Sequence, residues 1–286
     1  MISFTLPTYN QIFGLKKEKI FGYCPNAATT DFAVLLGIDT CRDEQDGFDF
    51  RGINLKYRTG PYWTKSYDED NLVIIVTSIG LWGKTSSFYK NIGIRPMFSY
   101  DSIEENLTEI NDNNIKKIEL GYYPQQAPGK TIQTTLENVH KNGQLIETGN
   151  TYTTAKEQSL SFVAKIHKEY EYNGKRYVRV TANSSFVQGY FQLSNREYYK
   201  NGDPIWIEVE PVTWLVDKRA NLAISERVII AGVEFDHRTK YSSEYFDYSD
   251  YIDIKKFMNR YLVKDLFQNN QIVQNMSKNK SRIKML

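Results

Sequence analysis

The alternation of apolar and polar positions divides the chain into many short extended segments and few helices. Residues 72–77 run Leu72-Val73-Ile74-Ile75-Val76-Thr77, an almost unbroken β-branched stretch that marks a buried strand. Gly80 and Gly83 punctuate the chain after this run: Gly83-Lys84-Thr85 reads as a turn and residues 91–97 as a further strand. Asn142-Gly143 and Asn173-Gly174 both read as type I′ hairpin dipeptides, the second flanked by alternating runs at 170–172 and 176–180. Residues 205–216 and 222–230 continue the strand pattern, broken at Pro211 and around 218–221.

Helical spacing is rarer. Residues 7–13 predict one or two turns ended by Gly14, and Thr29 or Thr30 is placed to cap a second apolar helix over 31–36, stopped by Gly37. Near the end, Ile254, Phe257, Met258, Tyr261 and Leu262 fall at helical intervals on one stripe, with Asp250 or Asp253 as the N-cap. The second half is therefore expected to be a β-sheet carrying one docked helix. These signals predict an α+β, β-rich fold with a few short helices. They divide the chain into a first segment (residues 1–100), an acidic, Asn-rich linker (101–114), a β-rich second segment with a C-terminal helix (115–267) and a basic tail (268–286).

Composition narrows the classes. The 286 residues include 21 tyrosines, and aromatic side chains make up 14%, which suits half-buried pleated surfaces. A net charge of only +2 gives no global field for nucleic acid or membrane. No apolar run approaches the ~20 residues needed to span a bilayer, and residues 1–14 are too polar for a signal peptide. The expected setting is the cytoplasm, without membrane contact. Cys24 and Cys41 fit a reduced compartment as small hydrophobes, and a disulfide between them stays open.

Several short stretches resemble a known family. Thr30-Asp31-Phe32-Ala33, Tyr62-Trp63-Thr64-Lys65-Ser66 and Gly93-Ile94-Arg95-Pro96 resemble the TDYA, WLRSP and GVRPA words of bacterial domains of the DUF6273 type. Leu120-Gly121-Tyr122-Tyr123-Pro124-Gln125 is similar to their FGSYPQ opening. Glu210-Pro211-Val212-Thr213-Trp214 is similar to their EPIEW strand, and Leu222-Ala223-Ile224-Ser225 to ALLLS. The resemblance implies a C-type-lectin-like core of the sulfatase-modifying kind, with its words in circularly permuted order, because the GVRP-like strand here precedes the YPQ-like one. Two readings explain that order. One is permutation across ends that lie close together; the other is two incomplete units that pair between chains. End-to-end geometry favours the first. In this picture Trp63 and Trp214 are core residues, Pro96 and Pro211 mark strand ends, and Arg95 anchors a buried carboxylate.

The residues carry little reaction machinery. His140, His167 and His237 stand singly, with no zinc, EF-hand or nucleophile-elbow spacing. The calcium-ligand words of lectins are absent, so neither cofactor nor metal is expected. Glycine is missing five residues before Gly83, which excludes a phosphate loop at Gly83-Lys84-Thr85. An oxidoreductase related to the formylglycine-generating enzymes would need a reactive thiol pair, yet Cys24 and Cys41 lie in no matching motif.

The candidate contact residues are Tyr241, Tyr245, Phe246 and Tyr248, which crowd a short segment with Tyr251, Glu244 and Asp247. Their rings either pack under the last helix or form an aromatic contact patch. Lys278, Lys280, Arg282 and Lys284 form the second candidate, either a solvated tail or a nucleic-acid-contacting arm. The acidic stretch 39–60 is read as an exposed loop that could face a basic partner. The expected function is non-enzymatic recognition of a protein or ribonucleoprotein partner, as in a phage or mobile-element inhibitor of a host system. The alternatives are the oxidoreductase and a phage receptor-binding or structural component.

Overall fold

A computed structural model describes residues 2–14, 26–38, 40, 59–99, 109–112, 115–155, 164–182, 191–236 and 252–268. Strands dominate it and the helices are short, as the sequence pattern predicts. Helix α1 (Tyr9–Phe13) opens with a capping box: the Thr8 hydroxyl accepts from Gln11 N while the Gln11 side chain accepts from Thr8 N. Helix α2 (Asp31–Leu35) is capped by Thr30, whose hydroxyl accepts from Ala33 N, and Gly37 ends it at φ +92°.

Three strands form a small antiparallel sheet in the order β1 (Tyr62–Tyr67), β2 (Val73–Val76), β3 (Trp82–Thr85). Gly83-Lys84-Thr85 is thus an edge strand and not a turn; the turn lies before it, at Gly80. Residues 91–97 do not form one strand. Gly93 bridges Tyr62 and Ile94 bridges Ile230 as isolated contacts, and the chain becomes a strand only at β4 (Met97–Ser99). Gly93 is pinned there by crowding, since a Cβ would sit 2.1 Å from Val228 Cγ1.

The large sheet is built around β12 (Pro204–Asp217), whose 14 residues pair on one side with β6 (Ile115–Gln126). On the other side it pairs first with β9 (Lys175–Thr181) and then with β13 (Leu222–Ser225). Strand β13 continues to β4, and β9 continues through β8 (Ala164–Tyr172) to β7 (Ile146–Ala155). Residues 109–112, inside the stretch read as a linker, form β5 against β6. A short ribbon of β10 (Phe191–Gln192) and β11 (Tyr198–Tyr199) stands apart from both sheets.

Alternation along β12 sends Ile205 and Ile207 into the main core and Trp206 to the opposite face, where it packs with Leu136 and Tyr177. That main core joins residues from both segments: Phe4, Phe98 and Trp214 meet as an aromatic group, with Phe98 and Trp214 edge to face at 4.7 Å. Trp63 and Trp214 are fully buried, as expected. Pro211 lies in the middle of β12 and not at its end; the chain accommodates the missing donor by shifting register between Pro211 and Thr213.

The second half carries a helix that its sequence hid. Helix α3 (Lys130–Lys141) ends at Asn142-Gly143, which is a helix cap and not a hairpin. Asn142 has φ −83° and only Gly143 is left-handed, whereas at Asn173-Gly174 both residues have positive φ and join β8 to β9. The last helical region is α4 (Ile252–Phe257), a π-helical turn (Met258–Leu262) and α5 (Val263–Phe267). Ile254, Phe257, Met258 and Leu262 are buried along the predicted stripe. Asp253 lies inside its first turn and is not the cap; Asp250 lies outside the described residues.

Side-chain amides complete strands where no neighbouring strand is available. Strand β6 stops opposite Glu208, and beyond it Gln133 of α3 takes over: Trp206 N donates to Gln133 Oε1 at 2.9 Å, and Gln133 Nε2 donates to Trp206 O at 2.7 Å. Gln268 clips Thr151 of β7 in the same reciprocal way, and Asn259 clips Phe4. Gln133→Met keeps the volume but leaves two buried backbone groups unpaired. It is expected to cost about 2 kcal/mol in urea unfolding, and a loss within ~0.5 kcal/mol would contradict the assigned role of the amide.

Candidate functional site

The residues of the family-like words are structural in their geometry. Arg95 is buried, but it holds a backbone carbonyl and not the carboxylate expected. Its Nε donates to Ser225 O at 2.8 Å, one terminal nitrogen donates to the Tyr62 hydroxyl at 3.2 Å, and the guanidinium lies over the Tyr62 ring. Asp31 is the buried carboxylate of that region. It accepts from Ala127 N, Ser194 N and Ser194 Oγ, which ties α2 to the ends of β6 and β10, and burial raises its pKa. Gln125 donates its amide to the carbonyls of Glu210 and Pro211, across the register shift.

That shift opens a cleft of about 200 Å³, walled by Glu119, Glu210, Glu226, Gln125 and Arg227. Glu226 is paired with Lys117 at 2.9 Å, and burial, followed by the Glu208 charge, raises the Glu210 pKa. Among the described residues, no serine, cysteine, histidine or lysine lines the cleft. A second polar group is enclosed between the sheet and the last helix. Glu169 accepts from the Tyr152 hydroxyl at 2.6 Å and from Thr148 and Asn150, both at 2.8 Å. Beside it, Asp265 accepts from Thr153 N, and burial lifts its pKa to about 6. His167 bonds Thr154 Oγ1 at 2.9 Å and is pushed down to about 4 by burial, so it stays neutral. The Tyr123 hydroxyl, wholly buried, has no hydrogen-bond partner among the described residues. These groups join elements of the fold. Among the described residues, no three His, Cys, Asp or Glu side chains are grouped to hold a metal ion, and no helix is long and apolar enough to cross a membrane.

The exposed feature that stands out is the β2–β3 hairpin. Ile79, Leu81 and Trp82 are 52%, 60% and 56% exposed, although β2 beneath them is built from buried Val73, Ile75 and Val76. The turn is rigid. Thr77 N donates to Leu81 O at 2.8 Å, Gly80 N to Thr77 O at 2.9 Å, and the Thr77 hydroxyl bonds both Leu81 O and Leu81 N. Gly80 has φ +79°, a conformation that L side chains rarely adopt, and a Cβ there would displace the Asn26 side chain, whose Oδ1 would lie 1.3 Å away. Three apolar side chains are thereby presented to solvent on a fixed support. At the other end of the small sheet, Asp68 accepts from Asp70 N and Leu72 N, closing the β1–β2 turn. Lys84 spans Asp68 at 2.7 Å and Asp70 at 2.8 Å, and this pairing holds the Asp68 carboxyl below its ordinary range.

The residues singled out from sequence as contacts, Tyr241, Tyr245, Phe246, Tyr248, Lys278, Lys280, Arg282 and Lys284, all lie outside the described residues, as do Cys24, Cys41 and His237. Within the acidic stretch 39–60, Thr40 and Gly60 are buried, and Thr59 bridges Ala28. The hairpin was not among the sequence candidates. Its signal was Ile79-Gly80-Leu81-Trp82, an apolar run interrupted by a turn glycine, which a reading of Gly83 as punctuation passes over. The chain matches no family model, no curated protein and no solved structure.

Proposed function

We propose that the chain is a binding protein that recognises a macromolecular partner without catalysing a reaction, with the Ile79–Leu81–Trp82 hairpin as a principal contact surface. The observation that carries this reading is the exposure of those three side chains on a turn held by Thr77 and Gly80. Exposed apolar residues on a rigid scaffold lose little entropy when covered, and tryptophan dominates the energetics of many interfaces. The aromatic cluster Tyr241, Tyr245, Phe246 and Tyr248 and the basic residues Lys278, Lys280, Arg282 and Lys284 belong to the same proposal as further contacts, the basic set toward a ribonucleoprotein.

A C-type-lectin-like core in permuted order is part of the proposal. Support comes from the pairing of its family-like words. The YPQ-like stretch lies directly against the EPIEW-like one, with Tyr123 opposite Glu210 and Tyr122 opposite Pro211, and the ALLLS-like strand β13 joins β12 to β4 just beyond Arg95.

The test compares the immobilised full chain with its Trp82→Ser variant in quantitative capture from host lysate. A serine at a solvent-facing position is expected to shift stability by no more than ~0.5 kcal/mol, yet to reduce the captured partner about tenfold or more. Equal recovery by both chains, with equal melting temperatures, would remove the hairpin from the reading.

A further inference from the structure

We infer that β3 is an acceptor edge: an extended segment of a partner protein, basic at its N-terminal end and apolar at its C-terminal end, adds to the small sheet as an antiparallel fourth strand. This rests on the hairpin being the contact surface and adds how the partner is held and what chemistry it carries.

The phase of the ladder supplies the first argument. The bond from Thr77 N to Leu81 O sets the alternation, so Ile75–Gly83 and Val73–Thr85 are the pairs bonded within the hairpin. Trp82 and Lys84 therefore turn their N–H and C=O groups away from β2, toward the side where, among the described residues, the sheet has no further strand. The two residues with outward backbone groups are also the two with exposed side chains on this strand.

Several other borders of the fold are held by a loop or a side chain. Pro7 O takes Lys65 N on the far side of β1, Gln268 and Asp265 hold β7, and Gln133 holds β12 at Trp206. Proteins commonly guard an open edge with an outward lysine. Lys84 is that lysine, but Asp68 and Asp70 tie it down along the sheet.

Charge gives the partner's polarity. The turn beside the Thr85 end carries Asp68, Glu69 and Asp70 against Lys84: three carboxylates and one ammonium leave two negative charges, and exposed Glu69 forms no ion pair among the described residues. The other end presents Ile79, Leu81 and Trp82. An antiparallel strand enters at the acidic end and leaves at the apolar end, so its first residues should be Lys or Arg and its last residues apolar. Backbone pairing supplies affinity in such additions, and alternate side chains supply selectivity.

The probe is a fluorescein-labelled octapeptide, Lys-Lys-Thr-Val-Thr-Val-Thr-Val, titrated with the full chain and read by anisotropy. Controls replace both lysines with glutamate or the central threonine with proline. The basic probe is expected to bind about tenfold more tightly than either control. On the protein, Lys84→Pro removes one outward donor at the position where an edge strand tolerates proline, and Lys84→Met removes the same charge but keeps the donor. The proline variant should bind about tenfold more weakly than the methionine variant, with both melting alike.

Equal affinities of the Lys84→Pro and Lys84→Met variants, together with loss of binding in Trp82→Ser, would overturn strand addition and leave the hairpin as a contact surface. Probe binding unaffected by Trp82→Ser would overturn both. Absence of saturable binding up to about 1 mM, or self-association of the chain that Lys84→Pro abolishes, would also overturn the inference, the latter by assigning the edge to a second copy.

Discussion

Asp31→Ala is expected to destabilise the protein by about 3–5 kcal/mol, a large share of the 5–15 kcal/mol typical of a folded domain. The substitution removes one carboxylate but orphans three donors, Ala127 N, Ser194 N and Ser194 Oγ, in a site where Asp31 itself is only 5% exposed. Unpaired buried donors lose their full hydration with nothing in return, which is why the effect exceeds that of one hydrogen bond. Asp31→Asn keeps one acceptor oxygen and turns a donor toward a donor, so roughly half the loss is expected. Urea unfolding of both variants checks the ranking. A change below ~1 kcal/mol for alanine would mean that these contacts do not hold α2 to the sheet.

The second large effect is hidden in the parent protein and should appear in two single variants. Asp265, raised from 3.8 to about 6, binds a proton in the folded state at pH values where the unfolded chain has lost it. Its contribution is complete below pH 3.8 and disappears as pH rises through 6. His167, lowered from 6.5 to about 4, acts with the opposite sign: its contribution is complete above 6.5 and is lost as pH falls through 4. Each shift of about two units corresponds to roughly 3 kcal/mol at most. Between pH 4 and 6 the two slopes oppose each other, with Asp31 and Glu210 leaning the same way as Asp265. Relative to the parent, Asp265→Asn should gain stability as pH rises across that window, and His167→Gln should lose it. Profiles parallel to the parent in both variants would sink the assignment.

The strand-rich class, the short helix within residues 7–13, the helix capped at Thr30 and the stripe from Ile254 to Leu262 were legible because each depends on a few neighbouring residues. The features that escaped depended on distant partners. Asn142-Gly143 and Asn173-Gly174 share one dipeptide and differ only in the asparagine φ, which the preceding helix decides in the first case and strand pairing in the second. Helix α3 has threonine at three of its positions, a weak helix former, and is held by Gln133, Glu137 and the Trp206 face. Arg95 could be read as buried, but nothing local names the Ser225 carbonyl 130 positions away. The hairpin was missed for a related reason. Local pattern finds Leu81 and Trp82 apolar and assumes they are inside, and only the assembled sheet leaves them outside.

The clip between Phe4 and Asn259 has a consequence for biosynthesis. The two residues are 255 positions apart, and Trp214, which stacks on Phe4, is also made late. At about 5–20 residues per second, Phe4 leaves the ribosome roughly 10–50 s before the amide that secures it exists. Early segments must therefore wait, partly unsheltered, for late ones. Such a chain is a natural client for a holding chaperone, and truncations near its end should be cleared by proteases rather than accumulate as shortened, native-like forms.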